Sequence, residues 1–163
     1  MKKEVIMKRI SNHVSYKEAI KSITACRKGI DNTPDKEEKR NMVFIATAVF
    51  EPLRKALGNK PIGISSFYRS IELNEAIGGS STSQHCMGLA MDIDADIVGL
   101  HSNKEIFKWI YENSEFNQLI LEFPDKKGEP QWVHVSKTMG KNKKETLVSF
   151  KDVEGNTRYK YYR

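Results

Sequence analysis

The sequence predicts an α+β domain in which a small antiparallel sheet bears a polar site on one face and helices pack on the other. Three observations lead there. Between about residues 15 and 57, capped segments carry apolar residues at helical spacing. After Lys60, the runs Leu89–Asp94, Gln118–Phe123 and Trp132–Ser136 alternate apolar and polar residues, as half-buried strands do. In those runs the polar positions hold histidine and carboxylates, so one face of the sheet is apolar and the other carries chemistry.

Composition bounds the rest. A chain of 163 residues, 39% hydrophobic and 29% charged, makes one soluble domain spanning 1–163 with a sizeable core. It divides into N-terminal helices (15–57), a core bearing the site (60–136) and a basic tail (137–163). Met1–Arg9 lacks the apolar centre of an export signal and no run of 18 apolar residues occurs, so the expectation is cytoplasmic synthesis without a membrane span. Cys26 and Cys86 lack any paired spacing and are expected as free thiols, Cys86 as a small buried hydrophobe. A monomer is expected.

Ser15-Tyr16-Lys17-Glu18 is a capping box and Ala19, Ile20, Ile23 and Cys26 follow at helical spacing, predicting a first helix that Gly29 ends. Thr33-Pro34-Asp35 supplies a cap and a proline for a long helix to about Leu57, with Met42, Ile45, Val49, Leu53 and Leu57 as its core stripe. Pro52 should kink or restart it. Ile62–Tyr68 reads as a strand, Ile71–Ala76 as a helical turn, and Gly78–Ser83 as a loop whose glycines let backbone approach a substrate. Ser102-Asn103-Lys104-Glu105 opens another helix, with Ile106, Trp109 and Ile110 inward. His13 and His101 read as ordinary surface histidines. Leu119, Leu121 and Phe123 should face the core, leaving Glu122 on the polar side, and Pro124–Pro130 turns that strand back antiparallel into Trp132–Ser136.

The chemistry concentrates at three residues. His85 and Asp92 stand seven positions apart across Gly88, and His134 follows downstream. Seven extended steps span roughly 23 Å, so His85 and Asp92 can share an ion only if the chain doubles back, which Gly88 permits. Strand alternation turns Asp92 and His134 away from the core, toward one point. Two neutral imidazoles and one carboxylate leave a fourth position open on a tetrahedral zinc, the pattern of a catalytic rather than a structural site.

An ordered set of short matches accompanies these residues: Ser65-Ser66-Phe67-Tyr68-Arg69-Ser70, Leu73-Asn74, Gly78-Gly79, Ser83-Gln84-His85, Gly88-Leu89-Ala90-Met91-Asp92-Ile93 and Trp132-Val133-His134. Over about Lys60–Ser136 the chain resembles the zinc D-Ala-D-Ala carboxypeptidase family, which includes phage endolysin peptidases and shares a fold with the Hedgehog signalling domain. The resemblance implies His85, Asp92 and His134 as zinc ligands and Arg69 as an anchor for substrate or transition state. It further implies hydrolysis of peptidoglycan stem peptides or cross-links, with Ser83 and Trp132 helping to hold the peptide. With no export signal, it suggests a phage-type lysin that reaches the wall after release.

One position departs from the family pattern. Relatives often carry Asp or Glu three residues before the last histidine as acid/base, and here that residue is Gln131, which exchanges no proton near neutral pH. The hairpin offers Glu122 near His134 instead, either as the general base or as a partner that orients a histidine. Glu129, in the turn, is a weaker candidate. Residues 137–163 hold eight Lys/Arg against three Asp/Glu. That excess reads either as attraction to an anionic polymer such as a bacterial wall or nucleic acid, or as a solvated, basic final strand and terminus. Two rival functions remain: a zinc-containing but catalytically silent wall-binding module, which Gln131 keeps open, and a nucleic-acid binder, for which no motif argues.

Overall fold

Helix starts fall where capping side chains put them. In the computed structural model, which describes residues 7–163, Ser15 accepts the Glu18 N–H and opens α1 (Tyr16–Ala19). The one helix expected up to Gly29 is two. Ser22 accepts the Ala25 N–H and begins α2 (Ile23–Lys28), which Gly29 ends at φ 66°. A second serine in mid-segment offers the backbone an alternative to continuing the first helix. Met1–Ile6, the start of the segment read above as lacking an export signal, lies outside the described residues.

Asp35, rather than Thr33, caps α3 (Lys36–Ile45), in a reciprocal box with Glu38. The helix then widens into a π-helical turn, Ala46–Phe50, and resumes as α4 (Glu51–Ala56) with Pro52 in its first turn. The proline thus restarts the helix, as expected. In an ideal α-helix, steps of four residues overshoot a turn by about 40°. The wider turn absorbs that excess, so Met42, Ile45, Val49 and Leu53 all remain fully buried on one side.

The sheet has six strands: β1 (Gly63–Ser66), β2 (Ala90–Asp94), β3 (Gln118–Glu122), β4 (Trp132–Ser136), β5 (Glu145–Lys151) and β6 (Thr157–Tyr161). Their order is β1-β2-β4-β3-β5-β6. All neighbours run antiparallel except β3 and β5. The stretch after Lys137 adds a hairpin to the sheet, and its final strand β6 is exposed, in line with the solvated final strand expected there. Met91, Ile93, Leu119, Val133 and Val135 line the apolar face and are fully buried with the α3–α4 stripe and with Ile106 and Ile110 of α6 (Asn103–Asn113). Phe123 does not join them. β3 ends at Glu122, and φ 47° at Phe123 breaks the alternation, setting its ring 5.5 Å from that of Trp132. Among the described residues no helix is long and apolar enough to cross a membrane.

Candidate metal centre and cleft

The doubling back expected at Gly88 occurs there. It lies at φ 68°, and a Cβ would stand 2.6 Å from the Glu38 carbonyl oxygen, so both backbone shape and space exclude a side chain. A 3₁₀ turn, Gln84–Met87, precedes it and presents His85 to the start of β2. Asp92 pairs with His134 across β2 and β4, which puts both on the site face.

Three ligand atoms converge. His85 Nε2 lies 3.2 Å from Asp92 Oδ1 and 3.2 Å from His134 Nδ1, and His134 Nδ1 lies 2.9 Å from Asp92 Oδ1. His85 Nδ1 donates to the Phe67 carbonyl at 2.6 Å. A carbonyl has no proton to give, so Nδ1 carries the ring's hydrogen and Nε2 presents a lone pair. That lone pair and the Asp92 oxygen are both acceptors, and a single proton on His134 cannot bridge all three atoms. A cation between them would. Donors around a tetrahedral zinc stand roughly 3.3 Å apart, close to the observed triangle. His85, Asp92 and His134 could thus hold a metal ion.

The electrostatics suit such a site. Burial pushes the His85 imidazole below its ordinary value, only partly offset by Asp92, so the ring stays neutral and able to ligate. Burial opposes ionisation of Asp92, but the two histidines beside it outweigh that penalty and hold the carboxyl below its ordinary range. Both pieces are in ligand form.

Around this triangle opens a cleft of about 670 Å³ lined by Arg69, Ser83, Glu122 and Trp132, so all the residues expected at the site meet there. Arg69 is held by its neighbours. Asn32 accepts the Ser70 N–H and donates to the Tyr68 carbonyl, and the Arg69 N–H donates to the His85 carbonyl. Its guanidinium reaches toward Asp92 (3.7 Å) and Asn74 (3.5 Å), both long contacts that leave donors for a further partner. Gly79 serves less for substrate approach than for Asn74, whose buried side chain fills the space a Cβ would need and donates to the Ser80 carbonyl, holding the cleft's rim.

Glu122 is 7% exposed and accepts from the Ser149 hydroxyl at 2.5 Å. Burial raises its carboxyl above the ordinary value, with that hydrogen bond and the nearby His134 working against the rise. Cross-strand registers set Trp132, Glu122, Ser149 and Tyr159 in a row across β4, β3, β5 and β6. The row beside it holds Asp92, His134 and Ile120, so Glu122 and His134 are diagonal neighbours, roughly 7–8 Å apart in backbone. Gln131 is exposed and does not line the cleft, and its backbone N–H donates to the Glu122 carbonyl. Cys86 is half-buried and outside the ligand triangle, its thiol pushed up by burial. His13 pairs with Glu51 at 2.6 Å, away from the site.

Sequence reasoning misses four residues that position the cleft. Asn32 clamps the Arg69 segment. Asn103, fully buried at the start of α6, accepts the Ala95 N–H and donates to the carbonyls of Pro130 and Gln131 just before Trp132. Ser149 and Tyr159 come from the hairpin read as a tail.

Known proteins resemble parts of this chain in sequence. The chain is 39% identical over 49 residues to the zinc D-Ala-D-Ala carboxypeptidase of Streptomyces albus G, covering 30% of this chain and 19% of that protein. It is 37% identical over 71 residues to the D-alanyl-D-alanine carboxypeptidase of Enterococcus faecalis, covering 43% of this chain and 26% of that one. The alignments therefore span about a fifth to a quarter of these relatives. The solved LdcB LD-carboxypeptidase superposes with a TM-score of 0.39 at 18% identity, over 66% of this chain and 64% of that one. The sequence profile of Peptidase M15 runs from residue 12 to residue 136, through strands β1 to β4, and on that match the chain belongs to the M15 peptidase family.

Proposed function

We propose that the protein is a zinc-dependent peptidase that hydrolyses the peptide part of bacterial peptidoglycan. The observation that carries this reading is the triangle of His85 Nε2, Asp92 Oδ1 and His134 Nδ1 at the floor of a cleft shared with Arg69 and Glu122. The names of the two carboxypeptidase relatives support peptides ending in D-alanine as the substrate class.

Each residue has a part that follows from its surroundings. His85, Asp92 and His134 would hold the zinc ion, which when bound would supply Lewis acidity and lower the pKa of water in the cleft. The Phe67 carbonyl fixes the His85 tautomer and ring orientation. Glu122, its carboxyl raised by burial, takes the proton from the attacking water and returns it to the leaving amine. Arg69 offers a fixed guanidinium fork to a substrate carboxylate or to charge developing on oxygen. Ser83 on the rim and Trp132 on the wall hold the peptide chain. A silent wall-binding module gains no support from position 131, since Gln131 lies off the cleft while Glu122 lies in it.

Digesting purified peptidoglycan with the zinc-loaded protein, and identifying the new termini by mass spectrometry, tests this reading. New peptide termini that vanish with chelator are expected. Intact peptidoglycan after digestion with fully loaded protein would overturn the peptidase reading.

A further inference from the structure

The hairpin β5–β6 lies beyond the residues that match the family profile, which ends at Ser136. It nonetheless supplies the side-chain partner of Glu122. Ser149 has no exposed surface, and parallel pairing of Leu121 with Val148 brings Ser149 beside Glu122. Its hydroxyl oxygen accepts the Phe123 N–H at 2.9 Å. A backbone N–H can only donate, so the hydroxyl's own proton is free to go to Glu122 Oε2, 2.5 Å away. Oε2 is thereby committed as an acceptor. A proton that Glu122 gains is better placed on Oε1, which leaves the bond from Ser149 undisturbed.

We propose that Ser149 is a positioning residue for the reaction: through Oε2 it fixes the Glu122 carboxyl in one orientation, so that Oε1 alone exchanges protons with groups in the cleft. The inference rests on the proposed role of Glu122. The chain Phe123 N–H, Ser149 O–H, Glu122 Oε2 has a single direction, and both of its side chains are buried. It ties the acid/base residue to a strand outside the family's matched region, making the hairpin part of the reacting unit. Residues that orient a reacting or ligating group from behind typically contribute about 10–100-fold.

The test uses the zinc-loaded full chain with soluble muropeptides as substrate. Ser149→Ala is expected to lower kcat about 10–100-fold with KM within about twofold of wild type and zinc content unchanged. Ser149→Thr, which keeps the hydroxyl, restores most of kcat. In a Glu122→Gln background, Ser149→Ala costs no further activity, because its effect runs through the missing carboxylate. Independently of turnover, infrared difference spectra of metal-free protein with ¹³C-labelled glutamate should show a shifted carboxylate stretch in Ser149→Ala that is absent in the Glu122→Gln background. If the alanine variant does not fold, Ser149→Cys, of similar volume and weak donor strength, takes its place. Wild-type kcat in a folded Ala or Cys variant overturns the proposal, as does an equal loss in the Glu122→Gln background. Near-normal turnover of Glu122→Gln itself would instead sink the role of Glu122.

Discussion

His85 Nε2 and Asp92 Oδ1 face one another at 3.2 Å with no proton available between them, because the His85 hydrogen is already given to the Phe67 carbonyl. Two acceptors held this way stabilise a cation. His85→Ala, Asp92→Ala and His134→Ala should each lose stoichiometric zinc while staying folded, as read by elemental analysis after dialysis against chelator. Zinc at a hundred times its dissociation constant should stabilise wild type by roughly 2.7 kcal/mol and leave the variants unmoved. Full zinc retention by folded His134→Ala would show the ligand set to be wrong.

A second prediction concerns pH and lies away from the cleft. Glu51 accepts the Ser11 hydroxyl at 2.6 Å, the His13 N–H at 2.8 Å and the His13 ring at 2.6 Å, tying the chain near residue 12 to α4. Burial acts to raise its carboxyl, but these hydrogen bonds prevail and hold it below its ordinary 4.5. A folded value below the unfolded one means stability that is fully present above about pH 4.5 and lost as pH falls through the folded value. Glu51→Gln should therefore cost about 1–2 kcal/mol at pH 7 and less as pH falls below about 4.5, measured by urea unfolding. Equal losses at neutral and acid pH would refute the linkage.

Arg69 tests whether a cleft cation serves structure or substrate. Its guanidinium contacts are long, 3.5 and 3.7 Å, and a structural ion pair would be expected to close further. Arg69→Lys should lower turnover by at least about tenfold with little change in melting temperature, since an ammonium cannot grip a carboxylate at two points. A lowered melting temperature with normal activity in the folded fraction would support the structural pair.

Much of this site was legible because strand parity and one glycine determine it. The alternation in Leu89–Asp94 and Trp132–Ser136 placed Asp92 and His134 on one face, and Gly88 marked the reversal that brings His85 back. Glu122 was legible by the same parity. Ser149 was not, because its partner strand β3 is distant in sequence and joined in parallel, a pairing that local patterns do not encode. Phe123 escaped for the opposite reason: its left-handed backbone ends the alternation at the residue where a simple count would continue it. Thr33 and Pro34 suggested a helix start that Asp35 takes, because only Asp35 has Glu38 in position to reciprocate.

The last prediction concerns which side chain moves the proton. Gln131 occupies the place where relatives often have an acid, yet it is exposed, off the cleft and bonded through its backbone to the strand that carries Glu122. Glu122 is buried in the cleft, and burial raises its carboxyl, as suits a group that both takes and gives a proton. Loss of a placed acid/base typically costs roughly 10²–10⁴-fold, so Glu122→Gln should remove most turnover while zinc stays bound. The same substitution should not harm folding. A carboxyl whose folded value is raised lends stability below its unfolded value and loses it as pH rises through the folded one, so at neutral pH the neutral amide is the easier group to bury. Its melting temperature should equal or exceed that of wild type, which separates a lost base from a lost fold. Gln131→Ala should cost little. If Glu122→Gln kept near-normal turnover and Gln131→Glu raised activity by orders of magnitude, position 131 would be the seat of the base, and the buried Glu122 would be only a partner that orients its neighbours.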